Sequence, residues 1–344
     1  MTEIKNNFKK FFSDREHANT LRLLIIAVII LVFMTIFTNG KFVSVRSINS
    51  MLSLIPELGI LSLAIMLAMI VAGIDLSIVA IANLSGVLAA KLMLSMGSHP
   101  ASLTAGIALA LLIGLLCGYF NGFIIARIGV HPILVTLGTF QLYRGIAIIV
   151  SKGYAIVNFS ESLTHFSNSS IFGIFPYIFL VFALITWLIS YMLNNTSFGQ
   201  SMYLVGSNYK ASKYSALNSE RIVHTVYVLI GALAAIAGLI IVSKTNSAKA
   251  DYGSSYILQT ILICLLGSVN WSGGVGKTSG VIIALVTLQF LNSGFTLMRF
   301  SNFFLSFIAG AFLLFVLIFN HYINLYERKQ ANRKLLAEGV IKSV

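Results

Sequence analysis

Charge is what this sequence has least of. Charged residues make up 10% of its 344 positions, whereas an ordinary soluble domain carries about 25%. With 58% of the chain hydrophobic, there is too little polar surface to cover a water-facing globule. Lipid is the solvent that fits, and in lipid each crossing segment must satisfy its own backbone, so helices of about 20 apolar residues are expected. Cysteine is equally scarce. Cys117 and Cys264 both lie inside apolar runs, where a thiol behaves as a small hydrophobe, which argues against a disulfide framework and against a thiolate metal site. The six histidines are scattered over span ends and loops, and no nucleophile, base and acid recur at a catalytic spacing. Nothing in the residue pattern points to chemistry performed by this chain.

What is present is apolar sequence in blocks, with a net charge of +13. Clustered Lys and Arg in a soluble protein would suggest nucleic acid. Here the cations fall between apolar runs, so they carry topology instead and no nucleic-acid partner is implied. The runs lie at residues 21–38, 54–72, 76–95, 101–126, 133–150, 173–193, 222–243, 256–269, 279–293 and 302–322. The expected fold is therefore all-α and polytopic, with about ten transmembrane helices. It divides into a segment 1–20, a membrane domain 21–322 and a tail 323–344.

Lys5, Lys9, Lys10, Arg15 and Arg22 precede the first run without a small-residue cleavage site behind it, so that run is expected to stay as an uncleaved span. With ten spans, these five residues share a side with Arg127, Lys210, Lys213, Arg221, Lys277 and the basic tail. That side holds the basic residues by roughly two to one, which places both termini in the cytoplasm. Two connections are long: residues 151–172 outside and residues 194–221 inside. Long connections in compact membrane domains are commonly functional or docking surfaces.

Internal symmetry is faint. Phe120–Asn121–Gly122–Phe123 ends the fourth span, Leu291–Asn292–Ser293–Gly294–Phe295 ends the ninth, and Pro132 and Phe303 follow each Asn at the same interval. Two weakly related inverted halves of five helices are expected, a plan that puts the transport path at their interface.

The most informative stretch is Val71–Ala72–Gly73–Ile74–Asp75–Leu76–Ser77–Ile78, which joins two apolar runs without a polar loop. A carboxylate there must cap a helix, find a partner or face water. Asp75 and Ser77 are placed to cap the third span, with Gly73 letting the chain turn. The competing reading sets this break beside the solute path together with Asn83 on the following span, because irregular backbone at membrane depth survives only inside protein or against a cavity. Arg144 is the second charge within a span; it either snorkels to the interface or pairs with Asp75 or Glu57. Gly273–Gly274–Val275–Gly276–Lys277–Thr278 imitates a phosphate-binding loop, but the position that such a loop needs as its first glycine is Trp271. A tight turn between spans is expected there.

Gly73–Ile74–Asp75–Leu76–Ser77, Val135–Thr136–Leu137–Gly138–Thr139 with Tyr143–Arg144–Gly145, and the stretch Gly199 to Asn208 closely resemble signatures of the ribose/xylose/galactoside-type ABC importer permeases. So do Ala234–Ala235–Ile236–Ala237–Gly238 and Gly273–Gly274, and the likeness runs from about residue 50 to 320. The resemblance implies a multi-pass protein of the bacterial inner membrane that binds no cofactor itself, ATP and Mg being bound by a partner ATPase. It also implies a periplasmic solute-binding protein and a second permease protomer, identical or related. In such permeases the segment matching Gly199, Gly206, Asn208, Ala211, Ser212, Ser215 and Ala216 contacts the ATPase. The chain departs from the family pattern at Ala72, at Ala211–Ser212, at Ser215–Ala216 and at Ser268. These departures leave the solute open among pentose, hexose, furanose signal and nucleoside. An ion-coupled carrier is the alternative from another class, against which the scarcity of acids at membrane depth counts.

Overall fold

The computed structural model describes residues 15–301, apart from 98, 159–162, 164–166, 172, 174 and 216, together with single positions from 303 to 318. The described residues up to Arg299 form one compact unit, and those from Phe300 onward belong to a separate one. In chain order the helices are α1 (Arg15–Phe37), α2 (Val45–Ile70), α3 (Ile78–Met96), α4 (Ser102–Phe123), α5 (Pro132–Ser151), α6 (Tyr177–Asn195), α7 (Ser197–Ser207), α8 (Tyr209–Tyr214), α9 (Ser219–Thr245), α10 (Tyr256–Leu266) and α11 (Thr278–Leu297). Four two-residue strands accompany them: β1 (Ile156–Val157), β2 (Ser170–Ile171), β3 (Phe175–Pro176) and β4 (Ser247–Ala248).

The chain is thus mostly helical, and α2, α3, α4 extended to Ile128, α5, α6, α9 and α11 are seven helices long and apolar enough to cross a membrane. Residues Leu23–Phe37 of α1 and the whole of α10 are shorter apolar helices. Nine of the ten expected apolar runs therefore coincide with helices among the described residues. The run 302–322 falls largely outside those residues, as do the segment 1–14 and the tail 323–344.

The run expected at 256–269 is cut short. α10 has 11 residues, about 16 Å of helix against a hydrocarbon core of about 30 Å. It stops because Gly267 is followed by Ser268 in a left-handed conformation, φ 63°, which no α-helix continues through.

Sequence sets the helix ends. Ser44 caps α2 by accepting from the Ser47 amide, Pro132 opens α5 where a missing N–H costs nothing, and Thr196, Asn208 and Asn218 cap α7, α8 and α9. Hydroxyls within spans, such as Ser62 and Thr287, donate to the carbonyl four residues back, which satisfies them within their own helix.

Burial sorts the spans into an inner and an outer set. The most apolar window of α2 is 89% buried and those of α3 and α9 are 72% buried, against 28% for α4, α5 and α6. α2 is consequently the central rod, apolar on all sides because it meets protein on all sides. α9 crosses α4 and α3 with almost no side chain between the backbones. A Cβ on Gly231 would collide with the Gly114 carbonyl, one on Gly118 with the Tyr227 carbonyl, and one on Gly238 with the Ala82 carbonyl. Small residues at such crossings are how helices gain packing in lipid, where no hydrophobic force drives them together.

At one end of the bundle, β1 pairs antiparallel with β4, Ile156 opposite Ala248 and Val157 opposite Ser247. The Ser243 hydroxyl donates to the Leu163 carbonyl and bonds with Ser167. The long connection 151–172 is thereby fastened to the 246–255 connection and to α9.

These crossings give a stability test. Gly231→Ala should destabilise the protein by about 1–3 kcal/mol, the usual cost of overpacking. Gly145→Ala, where nothing lies within 4 Å of the added methyl, should be neutral or stabilise by about 0.5–1 kcal/mol. Thermal unfolding in detergent measures both, and equal behaviour of the two variants would contradict the close crossing.

Candidate functional site: a buried helix break

The break between α2 and α3 is assembled from groups that no regular helix satisfies. α2 ends with the Ala72 amide bonded to the Met69 carbonyl and the Gly73 amide to the Ala68 carbonyl, both 2.9 Å. This 6→1 closure needs a left-handed residue. That residue is Ala72, φ 60°, and not Gly73, so the expectation that Gly73 supplies the turn is corrected. Gly73 is required for space, since a Cβ there would stand 2.5 Å from the Tyr227 hydroxyl.

Asp75 is wholly buried. Its Oδ1 accepts from the Ser77 amide at 2.8 Å and from the Ser77 hydroxyl at 2.6 Å. Ser77 itself makes no side-chain cap to α3, and Asp75 bonds Ser77, the residue before the helix, rather than an amide of α3, so neither side chain caps the helix in the expected way. Instead Ser77 relays the network: its Oγ accepts from Asn121 Nδ2 of α4 at 2.8 Å. Asn121 Oδ1 lies 3.0 Å from the Tyr143 hydroxyl of α5, whose proton is shared between it and the Cys117 carbonyl at 3.1 Å. The Thr136 hydroxyl of α5 reaches the Ile74 carbonyl at 3.2 Å. Asp75 Oδ2 and the Tyr227 hydroxyl of α9, both buried, have no hydrogen-bond partner among the described residues. One seven-residue interruption thus gathers polar groups from α4, α5 and α9.

The other residues singled out in the sequence lie elsewhere. Asn83 does not join the break; its amide donates to the Ala250 and Tyr252 carbonyls at 3.1 and 2.9 Å and fixes the 246–255 connection. Arg144 is exposed although its neighbour Tyr143 is buried, so it is no buried charge partner. Glu57 pairs instead with Lys244 at 3.3 Å and accepts from the Tyr256 hydroxyl at 2.7 Å, because α9 and α10 bring those groups to α2 while Arg144 stands on the outer face of α5.

The sequence assigns Asn121, Thr136 and Tyr227 no role in the break, although Thr136 stands in one of the family signatures. An Asn at the close of an apolar run was the one signal for the first, and long-range contact alone reveals Tyr227.

The segment expected to meet an ATPase is a helical hairpin. Gly199 sits where a Cβ would strike the Met192 and Leu193 backbone, which lets α7 fold back sharply on α6. Gly206 faces Ile70, as described below. Asn208 caps α8 through the Ala211 amide at 3.0 Å, and Ser212 is buried with its hydroxyl bonded to Tyr209 and Ser219. Ala211 and Ser215 are exposed, as is Tyr214 at 92%; Ala216 lies outside the described residues. Lys213 and Glu220 close the hairpin onto α9 at 3.2 Å. Beside it, a cavity of about 230 Å³ is lined by Arg127, Asn218, Glu220, Arg221 and His224.

The glycine turn holds no phosphate cradle. The Gly274 amide is spent on the Ile70 carbonyl at 2.9 Å, and among the described residues no group of three or more His, Cys, Asp or Glu is arranged for a metal. With seven helices long and apolar enough to cross a membrane and the short α7–α8 segment between two of them, the chain has the make-up of a polytopic membrane protein. It belongs to the family described as branched-chain amino acid transport system / permease component, whose model matches residues 47–317.

Among curated relatives it is 33% identical over 267 residues to the autoinducer 2 import system permease protein LsrD of Enterobacter sp. (strain 638), covering 76% of this chain and 80% of that one. It is 30% identical over 311 residues to the autoinducer 2 import system permease protein LsrC of Escherichia coli (strain SMS-3-5 / SECEC), covering 90% and 88%. No solved structure matches the chain.

Asp75 offers a direct test of the break. Asp75→Ala leaves the buried Ser77 amide and hydroxyl without their acceptor, a loss of about 1–3 kcal/mol, and should lower the melting temperature and the yield of folded protein. Asp75→Asn keeps an oxygen for both donors and should remain close to the parent in unfolding and in uptake by proteoliposomes. A stable Asp75→Asn protein without transport would instead assign the carboxylate to the solute path.

Proposed function

We propose that this chain is the membrane-spanning permease subunit of a binding-protein-dependent ABC importer for a sugar-like solute. A second permease protomer completes the path, a periplasmic binding protein delivers the solute, and a separate cytoplasmic ATPase supplies the energy. The observation that carries the reading is the hairpin α7–α8: α7 is packed into the body of the protein at the helix break, while α8 presents Ala211, Tyr214 and Ser215 outward. Small exposed residues beside one large exposed aromatic suit an interface that admits a partner closely, since interface cores favour aromatic anchors.

The solute class rests on the relatives. Those named above serve autoinducer 2 import, whereas the family description names branched-chain amino acids, so family membership by itself does not select the cargo. The sugar-permease signatures favour a small polyhydroxylated molecule. An ion-coupled carrier is disfavoured because Glu57 is held by Lys244 and Tyr256, which leaves Asp75 as a lone buried carboxylate among the described residues where an ion relay needs several. The full reading has ten spans in two inverted halves, with both termini and α7–α8 in the cytoplasm of a bacterial inner-membrane protein.

Two measurements test it. In a protein lacking Cys117 and Cys264, an impermeant thiol reagent applied to intact spheroplasts should modify Tyr154→Cys and spare Ser215→Cys; the reverse pattern would invert the topology. Ala211→Trp adds bulk to an exposed face and should leave folding intact while reducing ATPase copurification about tenfold, the equivalent of about 1.4 kcal/mol. Full recovery of the ATPase with this variant would remove α8 from the interface.

A further inference from the structure

The glycine turn that resembles, and is not, a phosphate loop occupies a position of consequence. Three stretches of backbone meet there without side chains between them. A Cβ on Gly206 of α7 would collide with the Ile70 carbonyl and stand 2.7 Å from the Gly274 amide. A Cβ on Gly273 would stand 2.5 Å from the Gly206 carbonyl and 2.7 Å from the Ala72 methyl. Hydrogen bonds join the three: the Gly274 amide donates to the Ile70 carbonyl at 2.9 Å, and the Tyr203 hydroxyl of α7 donates to the Gly276 carbonyl at 2.7 Å.

The turn is also braced within itself. The Asn270 amide donates to the Val275 carbonyl at 2.9 Å, the Gly273 amide to the Asn270 carbonyl at 3.1 Å, and Asn270 Oδ1 accepts from the Ser272 amide at 3.0 Å. Gly273 and Gly274 take φ 90° and 73°, values that any side chain would strain.

We infer that the turn 270–276, through Tyr203, Gly206, Gly274 and Asn270, is the strut that carries displacement of α7 into the helix break and so sets the position of the helices around it. Backbone against backbone leaves no rotamer to absorb a shift, and packed interfaces answer a small displacement by moving between discrete arrangements rather than by deforming. Beyond the break, the Asp75, Ser77, Asn121 and Tyr143 network and the Thr136 bond to Ile74 pass the movement to α4 and α5. Tyr203, Gly206, Gly274 and Asn270 are positioning residues, which act by keeping α7 and the break in register.

The inference rests on the reading that α7–α8 meets an ATPase, and the test separates the two. Tyr203→Phe removes one hydroxyl, and Asn270→Ala loosens the turn without altering α7, α8 or the break. Each is reconstituted in proteoliposomes with the ATPase and binding protein, and copurification, ATP hydrolysis and uptake of autoinducer 2 and D-ribose are measured. The expected result in both variants is normal copurification, hydrolysis retained, and solute moved per ATP lowered about three- to tenfold, the range that loss of one hydrogen bond allows. Normal solute per ATP in both variants overturns the strut. Loss of copurification in both also overturns it, since the turn would then serve docking itself. Failure of the docking reading shows separately, as undiminished copurification in Ala211→Trp.

Discussion

A helix interrupted inside the protein sets a debt of unpaired peptide groups, and the rest of this structure is arranged around settling it. Between Ile70 and Ile78 the α-helical pattern lapses in surroundings where an unsatisfied amide or carbonyl costs several kcal/mol. The Ala68 carbonyl is taken by the Gly73 amide, the Ile70 carbonyl by Gly274, the Ile74 carbonyl by Thr136 and the Ser77 amide by Asp75. The first and the last of these partners are local. The other two come from the turn before α11 and from α5, so the break depends on the tertiary fold around it.

That dependence explains why glycine is placed where it is. Gly73 makes room for the Tyr227 hydroxyl, Gly206 for the Ile70 carbonyl, and Gly114, Gly118 and Gly231 for the α4–α9 crossing. In each case the neighbour is backbone or a fully buried phenol, neither of which can swing aside. Ala72 shows the converse, since it holds a left-handed conformation that glycine would adopt without strain. Its methyl stands where a Cβ added to Gly273 would come within 2.7 Å of it.

Much of this was legible in the sequence, and the limits have physical causes. Apolar runs report helices because lipid imposes one length and one composition on every crossing segment, which is why nine runs coincide with helices. α10 escaped because an apolar run says nothing of where the backbone turns left-handed, and Ser268 is not a residue type that announces it. Asp75 stood out because a carboxylate between apolar runs demands a reason. That Ser77, Asn121 and Tyr143 join it in one network was not legible, because contacts 44 and 22 residues apart leave no periodic trace. Arg144 misled for the same reason: a charge in a span is a sound clue to function, but its face is set by helix rotation, and α5 turns it outward while Lys244, 187 residues from Glu57, is brought inward.

The two polar clusters also bear on how the ends of the molecule are related. Glu57, held by Lys244 and Tyr256, and Ile70, held by Gly274, are 13 positions apart on α2, about 20 Å along a straight helix. Every residue from Leu58 to Ile70 is buried, so this rod is gripped along its length and has no free face to bend toward. The Pro56 ring, one position before Glu57, removes a helical hydrogen bond at the far end of the gripped stretch. The polar clusters thus bound the buried half of α2, Glu57 at the middle of the 26-residue helix and Ile70 at its C-terminal end. The helix core between them transmits position, and the ends are where a change of position can be received or released.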